Sequence, residues 1–249
     1  MMEGWVGDVD EVVLSPDGNR LVARLTRFND PRGALTYVFA TDTGAVVWQS
    51  GRLGPPFAFS PDSRRLYAAV AGDELAFFGV DADTGTEIAR FMGGNHGLSV
   101  SPDGSRVSAV SPGGAEPAAT VWQTSGGASQ QIVGVSNYRL LGRMAGSPDG
   151  SWAGIARPIT GDGGAYALVV WGPDGKLRYQ VPLSEPLSKP FLNQWIAFSP
   201  DGAQILMVSI ASIGSDAQLH LFRASDGARL VHSTISAPML GSEGFIGSF

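Results

Sequence analysis

The sequence contains no cysteine and only two lysines, Lys176 and Lys189. The absent thiols exclude disulfides, Cys-ligated zinc, iron–sulfur clusters and a cysteine nucleophile. Charged residues are scarce, at 16%, where a soluble domain usually carries about 25%. Their balance is acidic, with a formal net charge of −6, which argues against a nucleic-acid partner, since such binders present a basic face. No stretch approaches the ~18 uninterrupted apolar residues of a membrane-spanning helix. The opening Met1-Met2-Glu3-Gly4-Trp5 has neither the basic n-region nor the apolar h-region of a secretory leader. A cytoplasmic chain with no membrane contact is the expectation, or an internal piece of a longer protein. Convincing helical periodicity is missing as well.

What is abundant is glycine, 34 residues, with 16 prolines and 43% apolar residues. These are enough for many turns around a sizeable core. The turns repeat. Ser15-Pro16-Asp17-Gly18 recurs as Ser60-Pro61-Asp62-Ser63, Ser101-Pro102-Asp103-Gly104, Ser147-Pro148-Asp149-Gly150 and Ser199-Pro200-Asp201-Gly202, at spacings of 45, 41, 46 and 52 residues. Ser, then Pro, with Gly at the fourth place is the chemistry of a type I turn, and the Asp can cap a nearby backbone N–H. Apolar runs flank the tetrads, such as Val12-Val13-Leu14 before the first and Leu21-Val22-Ala23 after it, which reads as a β-hairpin. An aromatic-rich strand and a Gly turn follow each hairpin: Tyr37-Val38-Phe39 then Asp42-Thr43-Gly44, Val169-Val170-Trp171 then Pro173-Asp174-Gly175. A short apolar run then completes the repeat.

Four short strands, a to d, per repeat of 41–52 residues predict an all-β β-propeller of four-stranded antiparallel blades. The five blades span about 8–52, 53–93, 94–135, 140–182 and 193–235 of a single domain, 1–249. Stacking them buries the apolar faces between neighbours. The Ser-Pro-Asp-Gly hairpin followed by a Trp- or Phe-ended strand resembles the WD-repeat-like and TolB-like propeller repeats over about nine-tenths of the chain. Asp42 to Trp48 also resembles the repeat of quinoprotein-type propellers. Trp122 is followed by Gln123 and no Gly-His dipeptide precedes the blades, so the WD pattern itself is incomplete. Such repeats serve unrelated roles, so the resemblance speaks to fold.

The two ends of the chain match. Glu3-Gly4-Trp5-Val6-Gly7-Asp8-Val9 is echoed by Glu243-Gly244-Phe245-Ile246-Gly247-Ser248-Phe249. Three readings follow for 236–249: a closing strand on a five-bladed ring, the start of a sixth blade in a six- or seven-bladed one, or a simple frayed tail. An open ring would expose sheet faces and invite self-association.

No constellation in the sequence carries chemistry. A Gly-x-Ser-x-Gly elbow is absent, and His96, His220 and His232 share no metal-ligand spacing. The aspartates Asp17, Asp62, Asp103, Asp149 and Asp201 all occupy one turn position and read as structural. Asp81 to Gly85 lacks the later ligands of a calcium loop. Gly161 to Gly164 precedes no helix that could cradle a phosphate. Trp48, Trp122, Trp152, Trp171 and Trp195 read as packing between blades. No cofactor and no enzyme activity are expected of the chain.

In this architecture the a–b and c–d turns share one end and the b–c and d–a connections the other. The first set is short and regular. The second is irregular, at Phe28 to Gly33, Ser111 to Pro117, Arg157 to Gly164, Leu183 to Leu192 and Ile210 to Asp216. Loops on a rigid scaffold usually carry function. The expected function is a non-enzymatic scaffold that binds a protein through this end, with Phe28, Asn29, Arg32, Glu116, Arg157, Asp162 and Asp216 as candidate contacts. The alternatives are the propeller portion of a larger enzyme, such as a peptidase gate or a quinoprotein-like part, and a channel for a small ligand or glycan.

Overall fold

In the computed structural model, four of the five tetrads turn their hairpins by the same hydrogen bonds. The first fixes the pattern: Ser15 Oγ accepts from the Arg20 N–H at 2.9 Å and donates to Asp17 Oδ1 at 2.6 Å, and Asp17 Oδ1 accepts from the Asn19 N–H at 3.0 Å. The second, third and fifth tetrads repeat it at Ser60 and Asp62, Ser101 and Asp103, and Ser199 and Asp201. The side-chain pair reinforces a turn that the backbone also closes, the Gly18 N–H donating to the Ser15 carbonyl at 2.9 Å and the Ser15 N–H to the Arg20 carbonyl at 2.8 Å.

The structure describes residues 7–27, 33–71, 76–94, 96–110, 119–126, 129–132, 134–136, 138–159, 166–183, 193–210 and 216–236. They form five antiparallel four-stranded sheets, each a meander. The first holds β1 (Gly7–Leu14), β2 (Arg20–Arg27), β3 (Ala34–Ala40) and β4 (Val46–Ser50). The second holds β5 (Leu53–Phe59), β6 (Arg65–Val70), β7 (Ala76–Asp81) and β8 (Glu87–Met92). The third holds β9 (His96–Val100), β10 (Arg106–Val110), β11 (Ala119–Gln123) and β12 (Ser129–Ile132). The fourth holds β13 (Tyr138–Gly146), β14 (Trp152–Pro158), β15 (Ala167–Trp171) and β16 (Leu177–Pro182). The fifth holds β17 (Asn193–Phe198), β18 (Gln204–Ile210), β19 (Ala217–Arg223) and β20 (Arg229–Ile235). The fold is an all-β propeller. Residues 236–249, read from sequence as a closing strand or a sixth blade, lie outside the described residues apart from Ser236.

The middle strands of the second, third and fourth sheets are apolar on both faces because each of those sheets lies between two neighbours. Buried clusters join successive sheets. Val22 and Val38 meet Phe57 and Leu66; Phe77 and Phe91 meet Leu98 and Trp122; Val121 and Ile132 meet Trp152 and Trp171; Leu168 and Val170 meet Ile205 and Phe222. Trp122 packs edge-on against Phe77 at 5.1 Å between ring centres. Among the described residues no such cluster joins the fifth sheet to the first. The outer flank of the first sheet carries Leu14, Leu21, Phe39 and Val46 in register. That of the fifth carries Leu206, Leu219, Leu221 and Val231. Val46 and Val231 are 46% and 44% exposed, and all of β20 faces solvent.

A second contact clasps sheet to sheet at the c–d turns. Trp48 of β4 donates its indole N–H to the Ala82 carbonyl at 2.9 Å, and Tyr179 of β16 donates its hydroxyl to the Ala224 carbonyl at 2.7 Å. Both stand four residues after the turn glycine of their own sheet and reach the same turn of the next. Burial first, then the Asp226 carboxylate, pushes the Tyr179 hydroxyl up to about 12. The a–b turns also touch. Ser63, the one tetrad residue that replaces Gly, holds φ at 62°, and its Oγ accepts from the Asp17 N–H of the preceding sheet at 3.1 Å.

Candidate functional site

The two ends of the sheets differ in how their connections are held. The tetrads and c–d turns form one end, where the turn aspartates accept hydrogen bonds from their own hairpins. The Ser15 hydroxyl, then the Asn19 amide, hold the Asp17 carboxyl down at about 2. The hydroxyls of Ser60, Ser101 and Ser199 likewise lower Asp62, Asp103 and Asp201. Asp149 accepts from the Ser151 N–H at 2.9 Å and pairs with Arg178 at 3.4 Å. A cleft of about 370 Å³ opens at this end between the fourth and fifth sheets, lined by Asp149, Arg178, Phe198 and Arg223. Its two arginines are already paired, Arg178 with Asp149 and Arg223 with Asp226 at 2.9 Å.

The opposite end carries the irregular connections. Of the candidate contacts, Phe28, Asn29, Arg32, Glu116 and Asp162 lie outside the described residues. Arg157 is the penultimate residue of β14 and half-buried; Asp216 is exposed immediately before β19. Arg157 stands directly across from Arg139 of β13. Sequence reading did not single out Arg139. Its signal was a charge inside the apolar run that opens the fourth repeat, but the cross-strand register that makes it matter is set by a turn ten residues away.

The innermost strands carry a second polar feature that periodicity did not reveal. Glu11 of β1 pairs with Arg143 of β13, linking the first sheet to the fourth across the centre of the molecule. The Glu11 carboxylate also accepts from the Phe57 N–H of β5. Burial raises the Glu11 carboxyl more than the Arg143 guanidinium and the Phe57 amide lower it. Nearby, Arg24 reaches the Leu53 carbonyl and Thr36, and lies 3.9 Å from Asp10.

Two histidines come together on the fifth sheet. His220 is buried and stacks on His232, with ring centres 4.6 Å apart and 7° between planes. His232 Nε2 lies 3.0 Å from Gln218 Oε1, which also accepts from the Thr234 hydroxyl at 3.1 Å. Among the described residues no three His, Asp or Glu side chains gather as a metal site. Trp122, Trp152 and Trp171 are buried between sheets, while Trp48 and Trp195 are half-buried.

No family model matches the chain, and no curated protein matches it in sequence. Solved structures do match in fold. TolB from Acinetobacter baumannii superposes with a TM-score of 0.63 at 17% identity, over 94% of this chain and 55% of that one. Kuenenia stuttgartiensis hydrazine synthase superposes at 0.62 and 18% identity, over 85% of this chain and 62% of that one. The β-propeller domain of the trilobed protease from Pyrococcus furiosus, described as having an open velcro topology, superposes at 0.58 and 11% identity, over 92% of this chain and 71% of that one. The chain therefore spans less than two thirds of the TolB and hydrazine synthase chains. At these identities the likeness is one of architecture, and that architecture is a TolB-like β-propeller.

Proposed function

We propose that this propeller is a non-catalytic scaffold that binds a protein partner through the end carrying the irregular b–c and d–a connections, around the mouth of the channel. One contrast supports the reading. At the tetrad end the described turn carboxylates, Asp42 apart, are held by their own turns or by neighbouring cations. At the other end Arg157, Arg139 and Asp216 take part in no ion pair among the described residues, which leaves their charge for a partner.

The test is cross-linking of the native protein in an extract of its source cells, with the linked positions read by mass spectrometry. Links to a single partner are expected at 28–33, 111–118, 157–165 and 210–216. The double substitution Arg157→Glu with Asp216→Lys is expected to weaken that complex by about tenfold or more, near 1.4 kcal/mol. Asp201→Asn at the opposite end should leave it intact. Links confined to the tetrad end, or a complex indifferent to the double substitution, would overturn the assignment.

A further inference from the structure

The side chains that join one sheet to the next recur at fixed places of the repeat. Arg20 stands five residues after the tetrad serine of the first sheet and reaches Asp83 in the second sheet's c–d turn at 2.7 and 3.0 Å. Arg65, at the same place of the second sheet, donates to the Thr124 carbonyl in the third sheet's turn at 2.9 Å. Asp83 and Thr124 each lie two residues before their turn glycine. The residue before that place accepts the aromatic clasp in two junctions. The Ala82 carbonyl takes the Trp48 N–H and the Ala224 carbonyl the Tyr179 hydroxyl, and both alanines are buried.

In the first sheet these two places are Thr41 and Asp42, and the turn is exposed throughout from Thr41 to Ala45. Its backbone is closed like the others, the Gly44 N–H donating to the Ala40 carbonyl at 2.8 Å as the Gly85 N–H does to the Asp81 carbonyl at 2.9 Å. The receiving groups are therefore set in the same local geometry. Asp42 takes part in no ion pair among the described residues. Beside the turn, Leu14, Leu21, Phe39 and Val46 lie in register on the outward face, with Leu14 and Val46 43% and 46% exposed. Tyr37 stacks on Phe39 at 5.9 Å between ring centres and extends the face. An exposed apolar patch rimmed by polar groups is the form of an interaction surface.

The rim says what fits. A carboxylate at the place of Asp83 calls for a guanidinium at the place of Arg20, and an exposed carbonyl at the place of Ala82 calls for an aromatic donor at the place of Trp48. The fifth sheet of a second copy offers Gln204 and Val231 at those places, neither a cation nor an aromatic donor. Residues 1–6 and 236–249 contain no lysine or arginine. Neither a second copy nor these segments supply the match. We propose that the outward face of the first sheet docks a β-sheet of a partner protein, which brings an arginine to Asp42, a tryptophan or tyrosine donor to the Thr41 carbonyl, and aliphatic side chains to Leu14, Leu21, Phe39 and Val46. This surface is separate from the irregular end, and the proposal does not rest on the loop-end reading.

The test uses the whole chain. A photoreactive benzophenone side chain is placed at Val46, the protein is irradiated in an extract of its source cells, and the linked peptide is sequenced by mass spectrometry. The expected link is to a separate polypeptide, on a sheet that carries an arginine and a tryptophan or tyrosine. Charge exchange with the purified partner then decides. Asp42→Arg, at an exposed position where folding is checked by melting temperature, is expected to weaken the complex by about tenfold or more. Replacing the partner's arginine by aspartate should weaken binding to the native chain and restore binding to the Asp42→Arg chain. Asp174→Asn, at the exposed c–d turn of the fourth sheet, should leave the affinity unchanged, as should Arg157→Glu with Asp216→Lys at the irregular end. Links only to this chain or to a second copy, a linked sheet without arginine, or a complex indifferent to Asp42→Arg would overturn the proposal. So would a loss on Asp42→Arg that the partner's exchange does not restore. The substitutions at the two surfaces are read separately, so either reading can fail without the other.

Discussion

In the first tetrad, one serine does two jobs that no other residue type does as compactly. The Ser15 hydroxyl accepts from the far strand at Arg20 and donates to Asp17, whose carboxylate then caps Asn19. The charged form of Asp17 is the one these donors stabilise, so its folded value, about 2, lies below the ordinary 3.8. For an acid shifted down, the stabilising contribution is complete above the unfolded value and is lost as pH falls through the folded one. Asp62, Asp103 and Asp201 are lowered for the same first cause. The first hairpin should therefore hold its strength down to pH ~4 and weaken progressively towards pH ~2, and the other three should weaken in the same direction as pH falls. Carboxyl NMR of the native protein should place the Asp17 midpoint near 2, and Ser15→Ala should move it up towards 3.8; an unmoved midpoint would show that the hydroxyl is not the cause. Glu11 behaves in the opposite sense. Burial raises its carboxyl against the pull of Arg143, so the charged form carries a cost in the folded state and this position favours mildly acidic pH.

At the scale of strands and turns, two of the junctions between sheets are clasped, beyond their apolar cores, by the residue four places after the c–d turn glycine. Trp48 and Tyr179 there reach the next sheet's turn and close over its glycine. The fifth sheet has Val231 at that place and the first sheet has Gly44 at the receiving turn, yet a Cβ on Gly44 would meet nothing within 4 Å. The equivalent Gly227 is hemmed in: a Cβ there would come within 2.4 Å of Val181 and 2.7 Å of Tyr179. The two glycines have nearly the same φ, 68° and 73°, so the left-handed strain of an alanine is common to both, about 1–2 kcal/mol. Gly227→Ala should add an overpacking cost of about 1–3 kcal/mol that Gly44→Ala escapes. Denaturant unfolding of the two variants measures the difference directly. Equal losses would mean that the fifth-to-first junction is packed like the rest.

For the whole molecule, the chain of sheets has two flanks that no described sheet covers. The inner three sheets are packed on both faces, whereas Leu14, Phe39 and Val46 on the first and Leu206, Leu221 and Val231 on the fifth face outward. Local opening costs least where few apolar contacts must be broken. Amides of β10, β11, β14 and β15 should therefore exchange with solvent most slowly in the native protein, and those of β1 to β4 and β17 to β20 earlier. Uniform protection across all five sheets, read by hydrogen exchange, would contradict this ordering. The single ionic link across the centre described here, Glu11 to Arg143, joins sheets that share no core.

Most of the architecture is legible in the sequence. The tetrad turn is closed by groups two to five residues apart, so its chemistry is written locally, and strand alternation follows from burial on one or both faces. Trp152 and Trp171 could be assigned to the core for the same reason. The features that give the molecule its functional character were not local. Glu11 and Arg143 stand 132 positions apart. Arg139 and Arg157 become neighbours only through the register of β13 and β14. Sequence pattern alone determined that the chain makes four-stranded blades with one regular end and one irregular end, since that depends on turn chemistry and period. Which charges meet and which flanks stay uncovered were decided by the packing of sheet on sheet, where contacts between distant residues outweigh any local preference.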